Sequence, residues 1–288
     1  MRGAIAQLVE QRTENPCVPG SIPGGTTKKT LRVSQGLFCI YTMTTTPHPT
    51  MHLQVIAHAR NGFSQKFGIP RQSREDSCIE THIVFTHAYR VREALRGIEE
   101  YSHLWLLWGF HEAVRQKEDE AKENELDWSP TVRPPRLGGN KRMGVFATRS
   151  PFRPNPIGLT SVKLLRVEET KDNGLVLIVS GADLLDGTPI YDIKPYLAFS
   201  DSHPQAKSGF AEATQDYRLE VKIEDQLLAE ALRNGCPWAA IEEILSQDPR
   251  PAYQSDPKRV YHLDYANWAI DFTVDQLEVK VQNILLKI

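Results

Sequence analysis

Six basic side chains and no acidic one fall between Thr131 and Pro154: Arg133, Arg136, Lys141, Arg142, Arg149 and Arg153. Six prolines, counted from Pro130, and four glycines are interleaved with them as far as Leu159. Proline fixes φ and glycine lets the backbone approach a ligand closely, so such a loop is stiff at some points and open at others. Arginine presents a planar fork that matches carboxylate or phosphate. The chain as a whole carries a net charge of −2, and residues 1–50 hold five Lys/Arg against two acids. The body is therefore acidic. A basic stripe on it points to a confined anionic ligand, not to general coating of nucleic acid. Taken alone, the stretch is equally a long surface loop with solvated arginines.

Other chemistries are excluded by what is missing. No G-x-G-x-x-G follows a strand and opens a helix, and there is no Walker sequence, H-E-x-x-H or G-x-S-x-G. Cys17, Cys39, Cys78 and Cys236 show no C-x-x-C spacing, so neither a cysteine zinc site nor a disulfide scaffold is expected. No metal site is expected. Leu104 to Phe110 is the longest apolar run and is far too short to span a bilayer. The expectation is a soluble cytoplasmic protein with no membrane partner.

Three segments give the basic stretch a context: R-P-P-R-L-G-G-N at 133–140, G-V-F-A-T-R-S at 144–150 and F-R-P-N-P-I-G at 152–158. With Pro70-Arg71-Gln72, His103-Leu104-Trp105, Leu185-Asp186-Gly187-Thr188-Pro189 and Asp192-Ile193-Lys194-Pro195-Tyr196 they resemble the TsaA/TrmO family, over roughly Leu53 to Phe199. Asp248-Pro249-Arg250-Pro251-Ala252-Tyr253 resembles the C-terminal domain of that family's full-length bacterial branch. The resemblance implies an S-adenosylmethionine-dependent tRNA methyltransferase. Its target is N6 of threonylcarbamoyladenosine at position 37, in the anticodon loop. It also implies an all-β cofactor domain and a homodimer.

Carried over by position, the resemblance makes Pro70, Arg71 and Gln72 a first cofactor segment, with Arg71 on the methionine carboxylate. His111 and Glu112 become a second contact, and Arg149 and Leu159 further ones. Asp186, Gly187 and Thr188 become a turn that meets the cofactor through backbone amides and the Asp carboxylate. On residue type alone, 70–72 is an extended turn, His111 a strand-end core histidine and D-G-T-P a good β-turn. Methyl transfer to an amine needs N6 in line with the methyl carbon and an acceptor for its proton. Asn155 and Asp186 are the two candidates, and nothing in the sequence separates them. Arg133, Arg136, Lys141, Arg142 and Arg153 would meet phosphates, one of them reading the threonyl carboxylate. Arg250, Tyr253, Lys258 and Arg259 would contact tRNA from the appended domain, although His262 and Asn267 stand where relatives carry Gly and Asp. Two rivals stay open: a methyltransferase of another substrate, and a nonenzymatic cofactor- or RNA-binding module.

The elements that must position these groups read as mainly β. Leu53–Arg60, Ile79–Phe85, His103–Phe110, Gly144–Thr148, Ile157–Val167 and Leu175–Val179 are expected strands, with His103–Phe110 buried on both faces. Strands so closely spaced predict a closed or nearly closed β-barrel over 51–205. Residues 206–288 read as a small α+β domain. Helices are expected at Ile223–Gly235, with Gly235 as cap, and from Pro237 to about Ser246. Strands are expected at Val260–Leu263, Trp268–Val274 and Leu277–Leu286. Glu112–Asp127 reads as a solvated helix or excursion. Residues 1–50 read as a disordered or spurious leader, because Leu8–Arg12 and Gly20–Gly24 back-translate to the D- and T-arms of a tRNA gene. The expected start is Met43 or Met51.

Overall fold

The computed structural model describes residues 52–112, 128–134, 141–214, 217–251, 254 and 256–287. The leader, the charged excursion beyond Glu112, Arg136 and Tyr253 lie outside that set. The fold is mainly β. Its strands are β1 (Ala57–Arg60), β2 (Glu80–Phe85), β3 (His103–Gly109), β4 (Thr131–Val132), β5 (Met143–Gly144), β6 (Ile157–Thr170), β7 (Gly174–Ser180) and β8 (Pro189–Pro195). After a short helix α1 (Ala198–Asp201) come β9 (Glu220–Lys222), helices α2 (Asp225–Arg233) and α3 (Trp238–Ser246), and β10 (Tyr261–Tyr265), β11 (Trp268–Asp275) and β12 (Glu278–Leu286).

Six strands pair antiparallel in the order β1-β2-β7-β6-β3-β8, and β8 pairs in turn with β1 through Ala57–Ile190 and His58–Pro189. Alternation explains the filling: Ala57, Ala59, Ile83, Phe85, Leu104, Leu106, Val162, Leu177, Val179 and Ile190 share one buried cluster. β3 does not bury both faces. Leu104, Leu106 and Trp108 are buried, whereas Trp105 and Leu107 between them are half-buried. The Trp105 indole N–H donates to Asp201 in α1 at 2.8 Å, so this second face is covered by polar and aromatic contacts instead. Gly144–Thr148 is not a strand either. Met143 and Gly144 pair with Val132 and Thr131, and then Val145–Ala147 turns as a 3-10 helix.

The second module is a four-stranded sheet in the order β10-β11-β12-β9, with β9 parallel to β12. On β11, Trp268, Ile270, Phe272 and Val274 alternate inward against Ile241, Ile244 and Leu245 of α3. Helix α2 ends as its glycine predicts. Gly235 sits at φ +78°, Cys236 N–H donates to Ala231 C=O and Gly235 N–H to Leu232 C=O, a paired closure of the last turn. The core of this module also draws on the first half of the chain: Phe63 and Ile79 are almost fully buried in the same cluster. Among the described residues no helix is long and apolar enough to cross a membrane.

One close approach fixes the geometry near the loops. The Trp108 indole lies over Gly158, where a Cβ would collide with the ring, and the indole N–H donates to Thr160 Oγ1 at 3.0 Å. Gly158→Ala must push this buried ring off its hydrogen bond. Overpacking of that kind costs about 1–3 kcal/mol, to be read as a lowered midpoint in urea unfolding.

Candidate active site

The loops at one end of β1, β3 and β6 hold most of the predicted residues in two linked groups. The first forms where β1 ends. Asn61 donates its side-chain N–H to Leu184 C=O at 2.9 Å and accepts from Phe63 N–H, which pins the β1 exit to the loop before β8. Asp186 is held there by both oxygens: Arg60 reaches Oδ2 at 3.2 Å and Asn61 N–H reaches Oδ1 at 3.0 Å. The amides of Asp186, Gly187 and Thr188 donate to Phe63, Ala59 and Leu185 carbonyls. These amides are occupied within the fold, and of the turn's side chains Asp186 is partly exposed while Thr188 is buried with its hydroxyl donating to Leu185 C=O. His111 follows β3 nearby. Burial, with the Arg60 and His111 charges close by, holds His58 below its ordinary value. Glu112 pairs with Lys66 at 3.2 Å.

The second group is built on β6. Phe110 N–H donates to Pro156 C=O and Ile157 N–H to Asn155 C=O, so the β3 exit and the R-P-N-P turn are stitched together. Ser73 donates to Ser161 C=O at 2.5 Å, which draws the Pro70–Gln72 segment against β6. Arg149 then reaches Gln72 Oε1 at 2.6 Å, joining two predicted cofactor residues that are 77 positions apart. Leu159 is an exposed apolar side chain on the same strand.

A residue that sequence reading passed over completes this group. Thr160 Oγ1 donates to Asp183 Oδ1 at 2.7 Å. Burial pushes the Asp183 carboxyl above the ordinary carboxylate range, against the opposing pull of the Thr160 hydroxyl and of Arg149. The only sequence signal was its place, two residues before the Leu185–Pro189 motif.

Several predicted residues are engaged elsewhere in the fold. Arg71 does not face the Gln72–Arg149 pair: its guanidinium donates to the carbonyls of Arg250 at 2.8 Å and Asp248 at 3.3 Å. Arg153 braces its own loop, donating to the carbonyls of Thr148, Ser150 and Val145. Arg250 is 8% exposed and forms a two-pronged pair with Asp248 at 2.8 and 3.0 Å. Arg133, Lys141, Arg142, Lys258 and Arg259 are exposed, with Arg142 on Thr131 and the Arg259 guanidinium 5.4 Å from the Tyr261 ring.

These residues suit a zwitterionic ligand. Arg149 is a cation for a carboxylate, Asp186 is an anion for an ammonium group, and Leu159 is an open apolar surface. This donor set fits S-adenosylmethionine.

Comparison with known proteins agrees. Residues 58–202 match the family model of the tRNA-methyltransferase O N-terminal domain, and residues 216–287 that of the TrmO C-terminal domain. The chain is 41% identical over 229 residues to a tRNA (adenine(37)-N6)-methyltransferase of Escherichia coli (strain K12), covering 78% of this chain and 92% of that one. It is 47% identical over 176 residues to one of Eikenella corrodens, covering 61% and 92%. A crystal structure of TrmO from Pseudomonas aeruginosa superposes with a TM-score of 0.62 at 30% identity, over 82% of this chain and 99% of that one.

Proposed function

This chain belongs to the tRNA-methyltransferase O family, and we propose on that premise that it methylates N6 of adenine 37 in tRNA. The observation that carries the reading within the chain is the Gln72–Arg149–Asp183 group on β6. S-adenosylmethionine, held there, supplies an activated methyl group. Gln72, Arg149 and Leu159 bind it, with Pro70 shaping the segment and His111, Glu112 and the Asp186–Thr188 turn on the neighbouring rim. No covalent enzyme intermediate is needed. The protein holds N6 in line, which by positioning alone supplies roughly 7–11 kcal/mol of barrier reduction.

The N6 proton leaves as the new bond forms. Asp186 has both oxygens engaged by Arg60 and Asn61. Asp183 is engaged through Oδ1 by Thr160 and is a more basic carboxylate than usual, so we assign it the proton, with Asn155 on the rim as an orienter. Arg133, Lys141, Arg142, Lys258 and Arg259 supply phosphate contacts. The threonylcarbamoyl group of the substrate adenosine is part of this reading, supported by the family resemblance and by the surplus of exposed arginine. So are a homodimer and a cytoplasmic location. The six paired strands are read as a closed barrel, supported by the return pairing of β8 to β1. Residues 51–205 and 206–288 form its cofactor and tRNA-contact domains.

The test is incubation of the purified chain with S-adenosylmethionine and tRNA, followed by mass spectrometry of position 37. A methyl mark there is expected with wild type. Arg149→Ala, which removes a charged hydrogen-bond donor, weakens cofactor binding about tenfold or more in calorimetry. Absence of the mark on any tRNA would refute the function, and unchanged cofactor affinity would remove Arg149 from the site.

A further inference from the structure

We propose that Phe146 and Phe152 form a stacking platform for the unpaired bases that flank the target adenine; this rests on the tRNA reading above. Phe146 is 74% exposed and Phe152 is 51% exposed. Two large aromatic rings facing water need a reason, and a floppy loop is not one. The Arg153 guanidinium holds the carbonyls of Val145, Thr148 and Ser150. Thr148 Oγ1 donates to Val145 C=O and accepts from Ser150 N–H, and Ser150 Oγ accepts from Phe152 N–H. The loop is therefore cross-tied at Val145, Thr148, Ser150, Phe152 and Arg153, and its two phenylalanines stand exposed on that braced backbone. Trp128 braces Phe146 with ring centroids 5.5 Å apart.

The surrounding charge selects the occupant. Arg133, Lys141, Arg142 and Arg149 are exposed on the same segment, which contains no acid. A single strand alternates anionic phosphates with flat bases, and basic groups interleaved with exposed rings are what such a strand binds. A second copy of this chain is disfavoured, since a two-fold contact would set these cations against their own equivalents. Arg149 also links the platform to Gln72. The bases beside adenine 37 would thus be gripped while adenine 37 itself is presented to β6.

The experiment measures binding of a synthetic anticodon-hairpin RNA by fluorescence anisotropy across a salt series. Phe146→Ala and Phe152→Ala are each expected to weaken binding roughly five- to 150-fold, the range set by one lost base stack. The slope of log affinity against log salt stays unchanged, because no phosphate contact is removed. Phe→Trp at either position keeps the affinity, and Phe→Leu does not. Removing the base at a nucleotide beside position 37 weakens wild type but adds little to the matching alanine variant. Alanine variants that bind like wild type, or full rescue by leucine, overturn the platform while leaving the function intact. Loss of affinity in step with a changed sedimentation coefficient overturns it in favour of a second copy. Wild type that binds no hairpin at any salt refutes the tRNA reading and this inference together.

Discussion

Arg250→Glu is expected to unfold the protein, or to lower its stability by about 3–5 kcal/mol, the cost of stranding one member of a buried ion pair. The partner left behind is Asp248, whose side chain is 15% exposed against 10% for Arg250. Both prongs of the guanidinium go to the two carboxylate oxygens, so the substitution breaks two charge-assisted bonds and sets two anions together. The damage spreads. The carbonyls of Asp248 and Arg250 accept from Arg71, so the same loop anchors the Pro70–Gln72 segment to the second module. Tyr217 donates its hydroxyl to Asp248 at 3.3 Å, and the Arg250 guanidinium lies 5.9 Å from the Tyr261 ring. Urea unfolding followed by near-ultraviolet circular dichroism checks it. Arg259→Glu is the control: its guanidinium is exposed over Tyr261 and has no carboxylate partner among the described residues, so it weakens tRNA binding without a shift in midpoint. An Arg250→Glu protein of wild-type stability and reduced tRNA affinity would restore the arginine to the RNA surface.

The contrast between Arg250 and Arg259 shows where sequence reading stops. Residue type and spacing made both look like phosphate readers. What separates them is Asp248, only two positions away, folding back onto one and not the other. Arg153 shows the same kind of local engagement: three carbonyls of its own loop accept from a guanidinium that looked free. Strong local patterns were legible, because alternation in Ile79–Phe85 and Trp268–Val274 is dictated by a single buried face. β8 was not seen as a strand, since Pro189, Asp192, Lys194 and Pro195 look like a turn. Its proline is tolerated as the first residue of the strand, opposite His58. The boundary near residue 205 followed composition, but burial does not respect it. Phe63 and Ile79 sit in the second core, so cutting the chain there leaves both without their cover. Asp183 escaped notice because its chemistry comes from burial and from Thr160, neither of which has a spacing signature.

Asp183→Asn is expected to lower kcat by about 10²–10⁴, the usual contribution of a positioned general base, while protein stability holds or rises. The hydrogen-bond chain fixes the geometry. An indole N–H can only donate, so Thr160 Oγ1 accepts from Trp108 and must direct its own proton to Asp183 Oδ1. Asparagine keeps that acceptor and the shape, and loses only basicity. Affinities for S-adenosylmethionine and tRNA therefore change little, and the defect falls on the chemical step in single-turnover methylation. The stability side has a definite sign. Burial raises the folded-state carboxyl above its unfolded value, so in that window the native protein holds a proton that the unfolded chain has released. Stability from this group is full below the unfolded value and is lost as pH rises through the folded one. At neutral pH the ionised carboxylate is a cost, and asparagine removes it. Wild type and variant should thus converge in midpoint at acid pH, with the variant equal or higher at neutral pH. A normal kcat would return the proton to Asp186 or to water. A midpoint that fell together with kcat would make Asp183 a structural residue and leave the acceptor unassigned.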